Sequence, residues 1–237
     1  MRNAIIACKM ISDEIILAMS ITNCRYPIIW LDDSLHMSPS KLHDRLQEEI
    51  KKLNKYHYDY ILFAYGYCGN AFINIESGNS SLVIPKINDC IDMLLYGTDV
   101  KSKHKGCYYL TRGWLENDLA IGKEYDLCIQ RFGEKRAKRI MDVMLANYNS
   151  MVMIDTGAYD IKKYEMQAKT LADRLGLDLL TVKGNIQILV DMFSGKWNDQ
   201  LFCILEPQNT ISMYHFDGCE CSNMPQIYEA NNVMTAF

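Results

Sequence analysis

Short apolar runs rich in β-branched residues alternate with longer amphipathic stretches along most of the chain, and this alternation constrains the fold more than any other feature. The runs have the length of buried strands, and the stretches between them carry apolar residues at helical spacing. The pattern predicts an α/β fold with a mostly parallel sheet and helices on both faces. Two Rossmann-like lobes and one continuous sheet are both compatible with it.

A lobe boundary is expected between about residues 115 and 133, where glycines fall in a polar stretch. Beyond about residue 207 the periodicity fades. The expected units are an N-terminal lobe over residues 1–120 that carries the candidate site, a C-terminal lobe over residues 121–210, and an irregular tail over residues 211–237.

Composition narrows the possible functions. The chain has 237 residues, of which 49% are apolar, so it can bury a substantial core. Its net charge is −4 and its basic residues are scattered, so nucleic-acid binding is not expected. The first apolar run is too short and too charged for a signal peptide or a membrane anchor, which favours a cytoplasmic protein without membrane contact. Nine cysteines then indicate reduced thiols, metal ligands or packing residues rather than disulfides.

Four residues that can bind soft or borderline metal ions each follow a predicted strand: Cys8, His36, Cys68 and Cys90. Ligands of open parallel sheets bind outside the carboxyl ends of the strands, so these side chains meet at one edge if the first four strands are adjacent. Three thiolates and an imidazole make a complete tetrahedral zinc site, and thiolates also suit iron. A single cysteine here is more often a packing residue, but the agreement of all four with the edge rule favours a zinc or iron site.

Two glycines flank the third of these residues. Gly66 and Gly69 allow a sharp turn around Cys68 and a close approach of the backbone to a bound ligand. Cys90 is expected in the first turn of a helix, where the macrodipole favours its thiolate.

A second candidate ligand site is the turn that follows a predicted strand in the C-terminal half. It contains Asp155 and Gly157, and a carboxylate beside a glycine turn often contacts a cofactor in α/β proteins. A turn that only starts a helix is equally compatible. The sequence contains no GxGxxG, Walker or GxSxG motif, so it gives no support for a dinucleotide, a nucleoside triphosphate or a serine nucleophile.

The remaining cysteines receive no site role. Four of them lie in loops or before strands and are expected to be structural, namely Cys24, Cys107, Cys128 and Cys203. Cys219 and Cys221 form a lone CxC pair in the tail, which is too short a motif to assign metal binding.

Five segments, in order along the chain, resemble the pattern of a prokaryotic domain-of-unknown-function family. They are Ile6–Cys8 (IAC), Leu35–Pro39 (LHxxP), Tyr65–Gly69 (YGxCG), Ile84–Gly97 with Ile84 in place of valine, and Tyr108–Trp114 (YYLTxGW). Members are often encoded beside corrinoid-dependent methyltransferases in anaerobes and methanogens. The resemblance therefore implies a role near methyl transfer or corrinoid handling, by association rather than by mechanism.

Three functions remain open, and whether the protein is an enzyme is left undecided among them. The first is a zinc or iron protein of anaerobic one-carbon metabolism that transfers methyl groups to or from a thiol or corrinoid, or handles the corrinoid, with a corrinoid protein or methyltransferase as partner. The second is a non-catalytic accessory module with a closed structural zinc that docks on a methyltransferase. The third is a metal-free thiol enzyme with Cys68 or Cys90 as nucleophile and His36 as base.

Overall fold

The eight strands form two separate sheets. The structure is a computed structural model that describes residues 1–32, 34–35, 38–100 and 105–216. The strands are β1 (Asn3–Cys8), β2 (Ile28–Leu31), β3 (Tyr60–Ala64), β4 (Ser81–Pro85), β5 (Cys107–Leu110), β6 (Ser150–Asp155), β7 (Asp178–Lys183) and β8 (Phe202–Leu205).

The first sheet has the order β2-β1-β3-β4-β8, and the second has the order β5-β6-β7. All pairings are parallel except that of β8, which runs antiparallel to β4. Strands β1, β3 and β4 are buried on both faces, as expected for parallel strands covered by helices on each side. The predicted α/β class with a mostly parallel sheet is confirmed, and two sheets replace the alternative of one continuous sheet.

Within the described residues, eight α-helices connect the strands. They are α1 (Ser12–Thr22), α2 (Pro39–Leu53), α3 (Cys90–Leu95), α4 (Arg112–Glu116), α5 (Ile121–Phe132), α6 (Glu134–Met144), α7 (Ile161–Leu175) and α8 (Gln187–Phe193). The longer ones bury one stripe at helical spacing: α2 buries Leu42, Leu46, Ile50 and Leu53. Short 3-10 turns precede α1, follow α2 and end the described chain at Met213–Phe216.

Helix α5 lies in the stretch where a lobe boundary was expected. It buries Ile121, Tyr125 and Cys128, which are spaced by four and three residues as one helical stripe requires. These side chains pack with α6 and α7 against the second sheet. The glycines that suggested a linker are therefore part of a packed helical pair, because Gly133 forms the turn between α5 and α6 with a φ of 78°.

The strands are not divided between the sheets at residue 120. β5 precedes that position but belongs to the second sheet, and β8 follows it but completes the first. The second sheet is thus inserted between two strands of the first. The predicted lobe boundaries do not coincide with this arrangement, and whether the two sheets fold as separate units stays a prediction. Most of the expected tail lies outside the described residues.

No helix in the described ranges combines the length and the apolar character needed to cross a membrane.

Candidate functional site: a buried thiol cluster

Three of the four predicted site residues lie at adjacent carboxyl ends of the first sheet. Cys8 is the last residue of β1, Cys68 lies in the turn after β3, and Cys90 is the first residue of α3, which follows β4. β1 pairs with β3 and β3 with β4, both in parallel. The three cysteines therefore lie at the carboxyl-end edge of the first sheet, as the sequence predicted. His36 lies outside the described residues.

Backbone contacts hold the Cys68 turn against the loop that leads to Cys90. The N–H of Tyr67 donates to the carbonyl of Ile87 at 2.6 Å, and that of Cys68 donates to the carbonyl of Asn88 at 2.8 Å. A Cβ on Gly66 would lie 2.4 Å from the Cα of Asp89. Because that distance is far below van der Waals contact, glycine is required at residue 66 for the two loops to lie side by side.

The Cys68 turn has an unusual backbone conformation. Cys68 has a φ of 47° and Gly69 a φ of 64°, both in the left-handed region. A non-glycine residue rarely adopts this conformation, so the surrounding contacts hold Cys68 in it. The side of Gly69 that would carry a side chain faces the ring of Pro39. The Cγ of that ring would lie 3.1 Å from an added Cβ. Both glycines thus approach the protein's own chain, and their contact with a ligand stays a prediction.

The three thiols form one cluster with a buried tyrosine that the sequence analysis did not select. The Cys8 thiol is hydrogen-bonded to the Cys90 thiol and to the hydroxyl of Tyr65. Cys68 lies close enough to interact electrostatically with both Cys90 and Tyr65. Cys8, Cys90 and Tyr65 are 5%, 7% and 3% exposed, whereas Cys68 is only partly buried. Access to the cluster is therefore from the side of Cys68.

The surroundings of the cluster favour protonated groups. The hydrogen bond with Cys8, followed by burial, raises the pKa of Cys90 well above its usual value, and the carboxylate of Asp89 adds to this. Burial, followed by the neighbouring cysteines, likewise raises the pKa of Tyr65. The sequence predicted that the helix stabilises the Cys90 thiolate. That prediction is wrong, because the neighbouring groups raise the pKa of Cys90. Helix α3 is only 6 residues long, and its start is already capped by Asp89, which accepts from the N–H of Asp92.

The three thiols are of a chemical type that suits a soft metal ion. The present arrangement of their side chains does not. Thiolates from three chain segments would fill three positions of a tetrahedral zinc or iron site. Among the described residues, however, no group of three or more Cys, His, Asp or Glu side chains is placed so that it could hold a metal ion. As they lie, the cysteines form hydrogen-bonded thiols. Metal binding at this cluster requires loss of the thiol protons and rotation of the side chains.

The carboxyl ends of the second sheet face those of the first. After β5, the Thr111 hydroxyl donates to the carbonyl of Met10 at 3.5 Å, and a Cβ on Gly113 would lie 2.0 Å from the same oxygen. After β7, the N–H of Asn185 donates to the carbonyl of Leu94 at 2.7 Å. The thiol cluster is therefore at the edge of the first sheet that meets the second.

The second predicted site, the turn after β6, lies in this contact. Asp155 forms an ion pair with Lys183, and it accepts from the N–H of Gly157 at 3.2 Å. Gly157 has a φ of 74°, and an added Cβ would meet nothing within 4 Å. The glycine is thus explained by the turn conformation, and cofactor binding by Asp155 and Gly157 stays a prediction.

Thr156, between those two residues, contacts a buried acid that the sequence analysis did not identify. Its hydroxyl donates to the carboxyl of Glu14 in α1 at 2.9 Å. Glu14 is 1% exposed, and burial raises its pKa to about 7. Beside it, Arg112 pairs with Asp13 at 2.6 Å. Only the tertiary structure reveals the contact between Thr156 and Glu14, because in the sequence Glu14 resembles an ordinary acid in a first helical turn.

Comparison with known proteins identifies a family for this chain. No curated protein and no solved structure matches it. Residues 30–193 match a family model, and this region contains Cys68 and Cys90 but begins after Cys8. Because the match covers more than half of the sequence, the chain belongs to the family described as Protein of unknown function (DUF1638).

Proposed function

We propose that the protein binds zinc or iron at Cys8, Cys68 and Cys90, with His36 as the fourth ligand. The observation that carries this proposal is the meeting of three thiols from three chain segments at one edge of the first sheet. Three cysteines that served only to fill the core would not need the left-handed turn at Cys68. A bound metal ion would lower the pKa of its thiol ligands, and release of one of the four ligands would open a position at which the metal activates a thiol or water.

The protein's own groups have distinct parts in this proposal. Cys8 and Cys90 are the buried ligands, and Cys68 is the ligand nearest to the outside. The Tyr65 hydroxyl is placed to donate a hydrogen bond to the sulfur of Cys8, which would stabilise a thiolate there. A methyl donor or acceptor would therefore approach from the Cys68 side.

The metal part of the proposal is tested by elemental analysis of anaerobically purified protein. We expect about one zinc or iron per chain in the wild type, and little in Cys68→Ser or Cys90→Ser. Cys107→Ser is the matched control, because Cys107 is partly buried like Cys68 but lies in the second sheet. Circular dichroism checks that each variant is folded. Equal metal content in all four proteins would show that the proposal is wrong.

We propose further that the site serves methyl transfer to or from a thiol or corrinoid, or handling of a corrinoid. The support for this step is the family resemblance, which implies a corrinoid protein or methyltransferase as partner. Transfer from methylcobalamin to a thiolate forms a carbon–sulfur bond, breaks the cobalt–carbon bond and leaves the electron pair on the corrinoid as cob(I)alamin. Its absorbance reports the reaction, so the expected result is thiol-dependent cob(I)alamin formation that Cys68→Ser abolishes.

A closed structural zinc in a non-catalytic accessory module is the second candidate, and the burial of Cys8 and Cys90 favours it. In that case the cysteine ligands would not react with thiol reagents, and removal of the zinc by a chelator would unfold the protein. In the first case a chelator would remove the metal and leave the fold intact. Thermal unfolding with and without chelator therefore separates the two functions.

A further inference from the structure

The corner between α5 and α6 concentrates positive charge in a protein whose net charge is −4. Five of the nine residues from 131 to 139 are cationic, and the single acid among them is Glu134. All five cations are exposed. We define the α5–α6 corner as Arg131, Phe132, Lys135, Arg136, Lys138 and Arg139.

Among the described residues, several cations on other helices of the protein are paired with acids, whereas those of this corner are not. On α2 and α7, Arg45 pairs with Glu48 and Lys169 pairs with Asp173. In the part of the chain that the structure describes, none of the five cations of the corner forms an ion pair. Lys135 and Arg139 are four residues apart on one helix, so their like charges repel each other. Within the described residues, this face thus costs stability without a compensating ion pair.

An aromatic ring contacts two of the guanidinium groups. The guanidinium carbons of Arg131 and Arg136 are 5.3 and 5.4 Å from the centroid of the Phe132 ring, which is 39% exposed. Further along α6, Val143 and Met144 are 77% and 40% exposed. Arginine, phenylalanine and methionine are enriched in protein–protein interfaces, where the ring fills a pocket and the guanidinium forks bind carboxylates.

We propose that the α5–α6 corner is a docking surface for a partner protein whose contact face is acidic around an apolar centre. The rest of this acidic protein repels such a partner, so the corner also orients the encounter. Nucleic acid would meet the same repulsion along its whole phosphate backbone and would leave Val143 and Met144 uncovered. Helix α6 has only 11 residues and presents separate apolar groups, which suits a protein pocket better than a membrane.

The experiment measures binding of a short fluorescent glutamate peptide with a central leucine to the full-length protein, by anisotropy at low and moderate salt. The comparison probes are an all-glutamate peptide of the same length, a single-stranded DNA and vesicles containing phosphatidylserine. The variants are Arg131→Gln with Arg136→Gln, and Phe132→Ala. The control is Lys51→Gln with Lys55→Gln, which removes two exposed charges on the first sheet's side.

We expect the leucine-containing peptide to bind more tightly than the all-glutamate peptide, and its binding to weaken with salt. The arginine variant should weaken binding about tenfold and Phe132→Ala about fivefold, while the control should stay within about twofold. The proposal is overturned if the peptide does not bind, if the control weakens binding as much as the arginine variant, or if Phe132→Ala changes nothing. Tighter binding of DNA or vesicles than of the peptide would also overturn it.

Discussion

Glu14 makes the stability of this protein depend on pH in a direction opposite to that of most acids. Its carboxyl is 1% exposed and accepts a hydrogen bond from Thr156. Burial raises its pKa from 4.5 to about 7, with a smaller contribution from Asp13, while the hydrogen bond from Thr156 and the charge of Arg112 oppose the shift. The folded protein therefore binds this proton more tightly than the unfolded chain does.

The sign and size of the effect follow from these two values. Below about pH 4.5, Glu14 is protonated in both states, and its full contribution to stability is present. As the pH rises to about 7, the unfolded chain loses the proton first, so the free energy of unfolding falls. A shift of about 2.5 pKa units corresponds to a loss of about 3 kcal/mol, and burial means that solvent does not screen it.

Glu14→Gln tests this reasoning because glutamine has nearly the same shape, can accept the bond from Thr156 and cannot ionise. We expect similar stability of the two proteins near pH 4, and an advantage of the variant that grows to about 3 kcal/mol near pH 8. Urea unfolding followed by circular dichroism at a series of pH values measures the difference. Glu134→Gln, at an exposed position in α6, should show no such trend. A constant difference between Glu14→Gln and wild type across the pH range would refute the argument.

Three further predictions concern stability, the first of them as a matched pair of variants, and all are checked by the same urea unfolding. Gly66→Ala should cost about 2 kcal/mol or more, because its Cβ would lie 2.4 Å from the Asp89 backbone. Gly122→Ala should change stability by less than about 1 kcal/mol, since its Cβ meets only the flexible end of Leu171; equal effects would contradict the steric account. Asn54→Ala should cost about 2 kcal/mol, because that amide donates to Ile50 and Ser77 and accepts from Asn79 and Ser80; an unchanged midpoint would show that water replaces these bonds. Asp160→Ala should cost about 1 kcal/mol through loss of the α7 cap to Lys162, and a neutral result would assign that cap no stabilising role.

The strands of the first sheet could be predicted because burial on both faces leaves a continuous apolar run, as in β3. Helix α5 could not be recognised as easily, since charged residues interrupt its three buried ones, Gly122 lies in its first turn and Gly133 follows it. The sequence could not show which strands share a sheet, because periodicity indicates which face of a strand is buried but not which strand lies beside it. β5 and β8 show this directly.

In the candidate site, too, some residues could be predicted from the sequence and others could not. Cys8, Cys68 and Cys90 could be grouped because the edge rule turns sequence order into proximity. Tyr65 also follows a strand directly, and that signal could have selected it, but only the structure shows its bond to Cys8. Glu14 carries no comparable signal, because burial raises its pKa and that burial depends on the tertiary packing of α1.

The late position of β8 has a consequence for how the protein is made. β4 has one neighbour, β3, until β8 pairs with its other edge, and the whole second sheet is synthesised in between. On the ribosome, the first sheet therefore keeps an open edge until residue 205 has emerged, although all three thiols of the cluster emerged more than a hundred residues earlier. The nascent chain thus exposes its cysteines to oxidants and to competing metals before the fold can shield them. If the cluster binds metal as proposed, loading with the correct ion would accordingly follow synthesis, when the antiparallel strand has closed the sheet.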